Sequence, residues 1–500
     1  MWIHFSDSAK FADIARNLIQ GNGYVTSFSF WGGGNVASVI KPVMPYSIAL
    51  LFKIIGISDI AVIATSAFYF ILTLIFVFLL AKKLFNSNLV ASLSVLVVGF
   101  NYDLIHYATS GATESPFVFE IIAGAYFISL KKKWGTIVAL LFLVLMYFTR
   151  PQAIIYIFGL GIYYLFLNLH WKKATLFSLG SLVLGASAYF LFSGQVAIAI
   201  SSNLPGAATS DSLRGGIQTV GLLTLFKKVF YNLYNFYKLL PQIINPYLFA
   251  LFVIGLFKWG KDQVRNSFKV ASVFMILATF FVTAITIPFF RYLHPIIPLV
   301  YIISVGTVVE IINYQFSIFN QIAIFNFKIP KQTIVVLAST FLILLFGVGQ
   351  TMGILLLDSR FERNTHNVGK PSVYVQLSYL LRDNTNNDQI VITNLDTWGS
   401  WYGERKTVWF PLEPKQLTYP AIGKIPFDAI YLTSYLIDDE NYYMGESWRM
   451  IFNNPEDPEK WMCDGCSEIA KEFKLKDVYK VSANDNYENQ DASAILLIKK

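Results

Sequence analysis

Charge is scarce in this chain. Only 14% of its 500 residues are Asp, Glu, Lys or Arg, against roughly 25% in ordinary soluble domains. Acids are almost missing from the first three quarters, where Asp7, Asp13, Asp59, Asp103, Glu114, Glu120, Asp211, Asp262 and Glu310 stand beside 23 Lys and Arg. Residues 358–500 reverse the balance, with 16 basic side chains against 22 acidic. The net charge of +8 and the pI of about 9.1 therefore belong to loops that flank apolar segments, and a nucleic-acid partner is not expected. The only two cysteines, Cys463 and Cys466, form a lone C-x-x-C. A zinc site needs two further ligands at matching spacing, and His366 is the only histidine after residue 358. A local disulfide and two inert thiols both remain open. No signal peptide, internal repeat or low-complexity tract is visible.

What the chain has instead is apolar surface: 55% hydrophobic residues, 16% aromatics and a mean hydropathy of +0.52. Runs approaching the roughly 20 residues that cross about 30 Å of hydrocarbon recur before residue 358. Windows and flanks predict ten spans, near 59–80, 89–107, 114–130, 135–149, 152–169, 174–193, 243–259, 268–288, 294–313 and 332–355. Cationic clusters at Lys82/Lys83, Lys131/Lys132/Lys133, Lys172/Lys173, Lys258/Lys261/Arg265 and Lys328/Lys331 occupy every second loop. The positive-inside rule puts those loops in the cytoplasm and both chain ends outside. Nothing in Met1–Gly23 is apolar enough to carry the N-terminus across, so an initial helix preceding Met1-Trp2-Ile3 is expected. Three regions follow: an extracytoplasmic loop 1–58 with surface helices, a transmembrane domain 59–357 and a soluble extracytoplasmic domain 358–500. In the first, Phe11–Ile19 has helical apolar spacing and is expected to lie along the membrane surface. In the last, 389–393, 429–432 and 494–498 read as buried strands, and 373–381 and 467–473 as helices, giving a small α/β unit.

Scarce charges at membrane rims are candidates for function because they are costly near hydrocarbon. Asp7 lies outside, at the start of a helical run, where capping is its ordinary role. Glu114 opens a span on the same side, where a charge also suits the helix N-terminus, and Glu120 follows deeper in that span. Three cations share this outer face: Lys41 beside Pro42, Arg150 before Pro151, and Arg291 in Phe290-Arg291-Tyr292-Leu293-His294-Pro295. Each alone could snorkel to lipid phosphates, whereas together they suggest an anion pocket at the outer leaflet.

These residues also carry a resemblance. The stretch from Phe5-Ser6-Asp7-Ser8 to Gly21-Asn22-Gly23-Tyr24 resembles the first extracytoplasmic loop of GT-C glycosyltransferases, in the branch of protein mannosyltransferases and of lipid A and core glycan transferases. Lys41-Pro42-Val43-Met44-Pro45, Glu114, Thr149-Arg150-Pro151 and Arg291-Tyr292-Leu293-His294-Pro295 match that family in order and side over residues 5–300. The family's usual acidic pair is Asp7-Ser8 here, and the second proline of its Pro-Pro is Val43. The resemblance implies an all-α polytopic GT-C-like membrane protein with about ten transmembrane helices and a small C-terminal extracytoplasmic α/β domain, in the plasma membrane. It implies transfer of a sugar, with inversion, from a polyprenyl-phosphate-linked donor to a glycan, lipid or protein acceptor at the outer face. Asp7 would be the general base; Lys41, Glu114, Arg150, Arg291, Tyr292 and His294 would bind substrate. No cofactor is identified, and a divalent cation shared by Asp7 and Glu114 is left open. The competing readings are a transporter or lipid flippase, which usually shows internal repeats and mid-membrane charges, and a non-catalytic scaffold.

Overall fold

The computed structural model describes residues 6–29, 40–192, 222–286, 288–321, 330–357, 370–411, 413–418, 427–434 and 444–500. Met1-Trp2-Ile3, Gly32–Gly34, the loop around Ser210–Gly216 and His366 lie outside them. The chain forms two compact units.

The first unit takes in Met1–Thr65, Ile198–Gly221 and Ser359–Lys500. Its six-stranded sheet has the order β1-β3-β2-β4-β6-β5, with β1 Phe28–Ser29, β2 Ile390–Thr393, β3 Lys406–Trp409, β4 Ala429–Thr433, β5 Phe473–Val481 and β6 Ala492–Lys499. The first four run parallel, and β6 and β5 add antiparallel pairings. β2 and β4 are short runs of Ile, Val, Leu and Tyr bounded by polar turns, the pattern of strands covered on both faces. Phe473, expected to end a helix, opens β5 instead, since the Cys466–Glu472 helix stops one residue earlier. β1 comes from the N-terminal segment and pairs Phe28 with Thr407 and Ser29 with Val408.

The Ser6–Ile19 helix has protein packed along its apolar face. Ala9, Ala12 and Ala15 are fully buried and pack with Met44, Ile48 and Phe52 of the Val43–Ile55 helix and with Trp398 and Trp401. Its alanines let neighbouring elements come close, and that contact covers the helix's apolar face. The turn after the helix uses Gly21 and Gly23 at φ of 85° and 84°, a left-handed conformation that favours glycine.

The second unit, Ser66–Ala197 and Leu222–Asp358, is a helix bundle around one large apolar core. Among the described residues, Asp59–Phe85, Gln263–Ile285, Phe290–Gln315 and Gln332–Ile354 are long and apolar enough to cross a membrane. Two bent pairs meet the same length and composition together, Asn88–Gly99 with Tyr102–Ala108 at 67° and Leu223–Ile243 with Pro246–Phe257 at 105°, each a broken span or a re-entrant loop. The expected ten separate spans are thus not reached by length and composition: four are found, or up to six with the bent pairs. The breaks have local causes. The Asn101 side chain caps a new helix by accepting from the Leu104 amide, and Asn245 does the same for Tyr247 just before Pro246. Lys133–Thr149 and Ala153–Asn168 are apolar but short, separated at Arg150-Pro151. The protein is an integral membrane protein.

Candidate functional site

In the first unit Asp7 sits in the first turn of the Ser6–Ile19 helix, where the backbone dipole favours a negative charge. Its carboxylate is about one third exposed and lies 3.6 Å from Lys10 Nζ. The next acid on the helix, Asp13, is fully buried and behaves differently. It accepts from Arg16 Nη2 at 2.7 Å, Thr26 Oγ1 at 2.9 Å and the Ser27 amide at 2.6 Å, which fixes the loop that leads into β1. Lys41 is half-buried and precedes the Val43–Ile55 helix, whose start is set by Pro42. Tyr24 holds this entry by donating its hydroxyl to the Ile40 carbonyl at 2.9 Å and stacking on Tyr46. Burial, with Tyr46 beside it, pushes the Tyr24 phenol above its usual range, so it stays a donor at neutral pH.

The second unit brings five of the expected residues together. Glu114 begins the Glu114–Ser129 helix and is 2% exposed; its Oε1 lies 2.6 Å from Arg150 Nη1. Arg150 is itself buried between two helices, at a position where Pro151 interrupts the chain. Its guanidinium lies 5.3 Å from the Tyr292 ring centre and 5.9 Å from that of Phe117. Arg291 reaches the same Tyr292 ring at 5.6 Å. Tyr292 is thus shared by two guanidinium groups, a cation–π arrangement that holds cations side by side in spite of their repulsion. His294 follows in the same 3-10 turn, Phe290–Ile296, with Nδ1 donating to the Arg291 carbonyl at 2.9 Å.

Two neighbours of this cluster were not singled out from sequence. Asp103 Oδ2 lies 3.4 Å from His294 Nε2, and the Tyr107 ring meets the His294 ring edge-on at 4.8 Å. Asp103 carried a signal in being one of the nine scarce acids; Tyr107, one tyrosine among 28, carried none. Glu120 is buried and accepts from Thr149 Oγ1 at 2.7 Å. It therefore faces the bundle interior, held by Thr149, the residue that precedes Arg150. Asp7 and Lys41 belong to the first unit, and Glu114, Arg150, Arg291, Tyr292 and His294 to the second. Among the described residues no three His, Cys, Asp or Glu side chains assemble as metal ligands. Cys463 and Cys466 are joined in a disulfide.

Chemically, the second-unit cluster is a pair of arginines in an apolar bundle, with Glu114 paired to Arg150 and Asp103 beside His294. Removing two charges from water costs several kcal/mol per ion unless geometry compensates, so such a pair is weak as a stabilising device and strong as a prepositioned anion partner. Residues 40–195, which include Lys41, Glu114 and Arg150, match the family described as dolichyl-phosphate-mannose-protein mannosyltransferase. None of the curated proteins compared with the chain matches it. Among solved structures, ArnT from Cupriavidus metallidurans bound to undecaprenyl phosphate is similar at 12% identity and a TM-score of 0.53, over 99% of this chain and 94% of that one. The oligosaccharyltransferase of Archaeoglobus fulgidus in the apo form is similar at 13% identity and a TM-score of 0.53, over 86% of this chain. This chain spans just under two thirds of its length, 66%. The same organism's AglB, in complex with an inhibitory peptide and a dolichol-phosphate, gives 13% identity and a TM-score of 0.53, over 85% and 65% of the two chains.

Proposed function

We infer, from a fold similar to those of ArnT and the oligosaccharyltransferase and from the family match over residues 40–195, that this chain is a GT-C-type glycosyltransferase that moves a sugar from a polyprenyl-phosphate donor to an acceptor at the outer face of the membrane. The observation that carries this reading is the buried Glu114–Arg150 pair with Tyr292 between Arg150 and Arg291, set in a fold whose solved examples hold undecaprenyl phosphate or dolichol-phosphate. In the proposed reaction an acceptor hydroxyl attacks the anomeric carbon from the side opposite the phosphate. The new carbon–oxygen bond forms as the bond to the phosphate oxygen breaks, which inverts the centre. Asp7 takes the hydroxyl proton, and the bonding electrons leave with the lipid phosphate.

The departing phosphate gains negative charge, which Lys41 and Arg291 stabilise without reorganising at the moment of reaction. Arg150 balances Glu114 and holds Tyr292, so it positions Arg291 as well as adding positive potential. His294, fixed between the Arg291 carbonyl and Asp103, keeps the turn that carries Arg291 in place. The polyprenyl chain occupies the apolar surroundings, and the acceptor is a glycan, lipid or protein.

The test is transfer of label from a polyprenyl-phosphate-linked sugar by the purified chain. Asp7→Asn keeps the size of the side chain but removes the base, so transfer falls by about 10²-fold or more while insertion persists. Lys41→Ala weakens donor affinity as well as turnover, because the phosphate is charged before and after transfer. Transfer by Asp7→Asn at the unsubstituted rate moves the base from Asp7 to another carboxylate. Absence of transfer from any polyprenyl-linked sugar by the unsubstituted protein overturns the reading.

A further inference from the structure

A cavity of about 760 Å³ opens within the first unit, bordered by Arg16 of the Ser6–Ile19 helix and Gln20 just after it, by Asp59, and by side chains between Tyr379 and Lys406. It is not the proposed reaction centre. Arg16 lies nine positions after Asp7, which at 3.6 residues per turn is about two and a half turns, so the cavity and Asp7 are on opposite faces of the helix.

Its wall is already built. Asp59 accepts from Trp401 Nε1 at 2.9 Å and from the Tyr402 hydroxyl at 2.6 Å. Arg16 stacks over the Trp401 ring at 5.0 Å and donates to the Ser400 and Trp401 carbonyls. Arg405 is 4% exposed and donates to Thr385 Oγ1 and Asn387 Oδ1. These bonds consume the wall's polar groups and make the cavity rigid before any ligand arrives. Glu404, at its edge, holds a left-handed φ of 51°, a strained backbone for a residue with a side chain.

The rim is of a different kind. Arg382 lies 4.7 Å over the Tyr379 ring, and among the described residues its ion partner is the exposed Asp383. Lys406 is exposed at the mouth, and among the described residues neither its ammonium nor the Gln20 amide is engaged in a hydrogen bond. The lining carries Arg16, Arg382, Arg405 and Lys406 against Asp59 and Glu404, and Asp59 is occupied by two aromatic donors. An aromatic face, uncommitted amide and ammonium donors, and excess positive charge fit one ligand class. The face suits the C–H side of a pyranose ring, the amide suits its hydroxyls, and the guanidinium and ammonium groups suit a carboxylate.

We propose that this cavity is a second carbohydrate-binding site, separate from the reaction centre, which holds an acidic oligosaccharide through Tyr379, Arg382 and Lys406. The site gives the enzyme a grip on a uronic-acid-bearing glycan independent of the sugar being transferred.

The test uses the full chain in detergent, titrated with α-1,4-trigalacturonate, maltotriose and inorganic phosphate, with binding followed by calorimetry. Trigalacturonate binds about tenfold or more tightly than maltotriose, the margin that one or two charge-assisted contacts supply. The double variant Arg382→Ala/Lys406→Ala reduces trigalacturonate to the level of maltotriose, Arg382→Lys keeps most of the preference, and Tyr379→Ala weakens both sugars. These side chains sit at the rim, so melting temperatures change little. Asp7→Asn binds the sugars as the unsubstituted protein does although it transfers poorly, which separates failure of this site from failure of the catalytic assignment. Equal affinity for both sugars, no binding of either at millimolar concentration, displacement by equimolar phosphate, or unchanged binding by the double variant each overturns the proposal.

Discussion

Glu114 and Arg150 show what a residue can be asked to do inside an apolar bundle. Both are nearly inaccessible, 2% and 6% exposed, and their ion pair has replaced bulk solvation. Glu114→Gln leaves the Arg150 charge without its counterpart and is expected to lower stability by about 3–5 kcal/mol, the usual result of breaking a buried pair from one side. Replacing both, as Glu114→Leu with Arg150→Met, removes the desolvation burden and restores most of that stability. Thermal unfolding in detergent distinguishes the two. The double variant remains without transfer activity if the pair exists for the site; full activity in the double variant reduces the pair to a structural contact. The scarcity of acids before residue 358 made Glu114 stand out in sequence, and a cation on the outer face marked Arg150, but nothing local paired the two. Arg150 and Tyr292 are 142 positions apart in the chain, and no periodicity links them.

At the scale of elements, close helix contacts depend on small residues, as expected where no hydrophobic gain drives helices together within lipid. A methyl group added at Gly306 would run into the Phe85 ring, whereas one added at Gly161 meets nothing within 4 Å. Gly306→Ala is expected to destabilise by about 1–3 kcal/mol through overpacking. Gly161→Ala, inside the Ala153–Asn168 helix, is expected to be neutral or to stabilise by about 0.5–1 kcal/mol. Opposite shifts in melting temperature check the pair. The same scale explains why the ten spans expected from sequence and the four to six found by length and composition among the described residues differ. Hydropathy windows average over the caps at Asn101 and Asn245, so a bent pair of helices reads as one apolar run or as a span of its own.

For the molecule as a whole, the arrangement of charge makes a topology test direct. The loops at Lys82/Lys83, Lys131/Lys132/Lys133, Lys172/Lys173 and Lys258/Lys261/Arg265 are proposed to face the cytoplasm, and residues 358–500 the outside. With Cys463 and Cys466 replaced by serine, Lys474→Cys should react with a membrane-impermeant maleimide in intact cells and Lys131→Cys only after permeabilisation; both positions are exposed. Labelling of the two in the reverse order removes the outer-face mechanism, because Asp7 would then act on the wrong leaflet.

Composition and local pattern alone determined that the protein lives in a membrane, where its apolar helices run, and which few charges deserved attention. These are properties of single residues and short windows, set by transfer free energies and by capping chemistry. Strands such as 390–393 and 429–433 were legible for the same reason, being short apolar runs between polar turns. Only tertiary structure decided that Phe28 and Ser29 join a sheet built mostly after residue 389, that the apolar face of Ser6–Ile19 is covered by protein, and that Tyr292 sits between Arg150 and Arg291. Each of these depends on partners far apart in the chain, whose encounter is chosen by total packing and charge balance rather than by anything a local window contains.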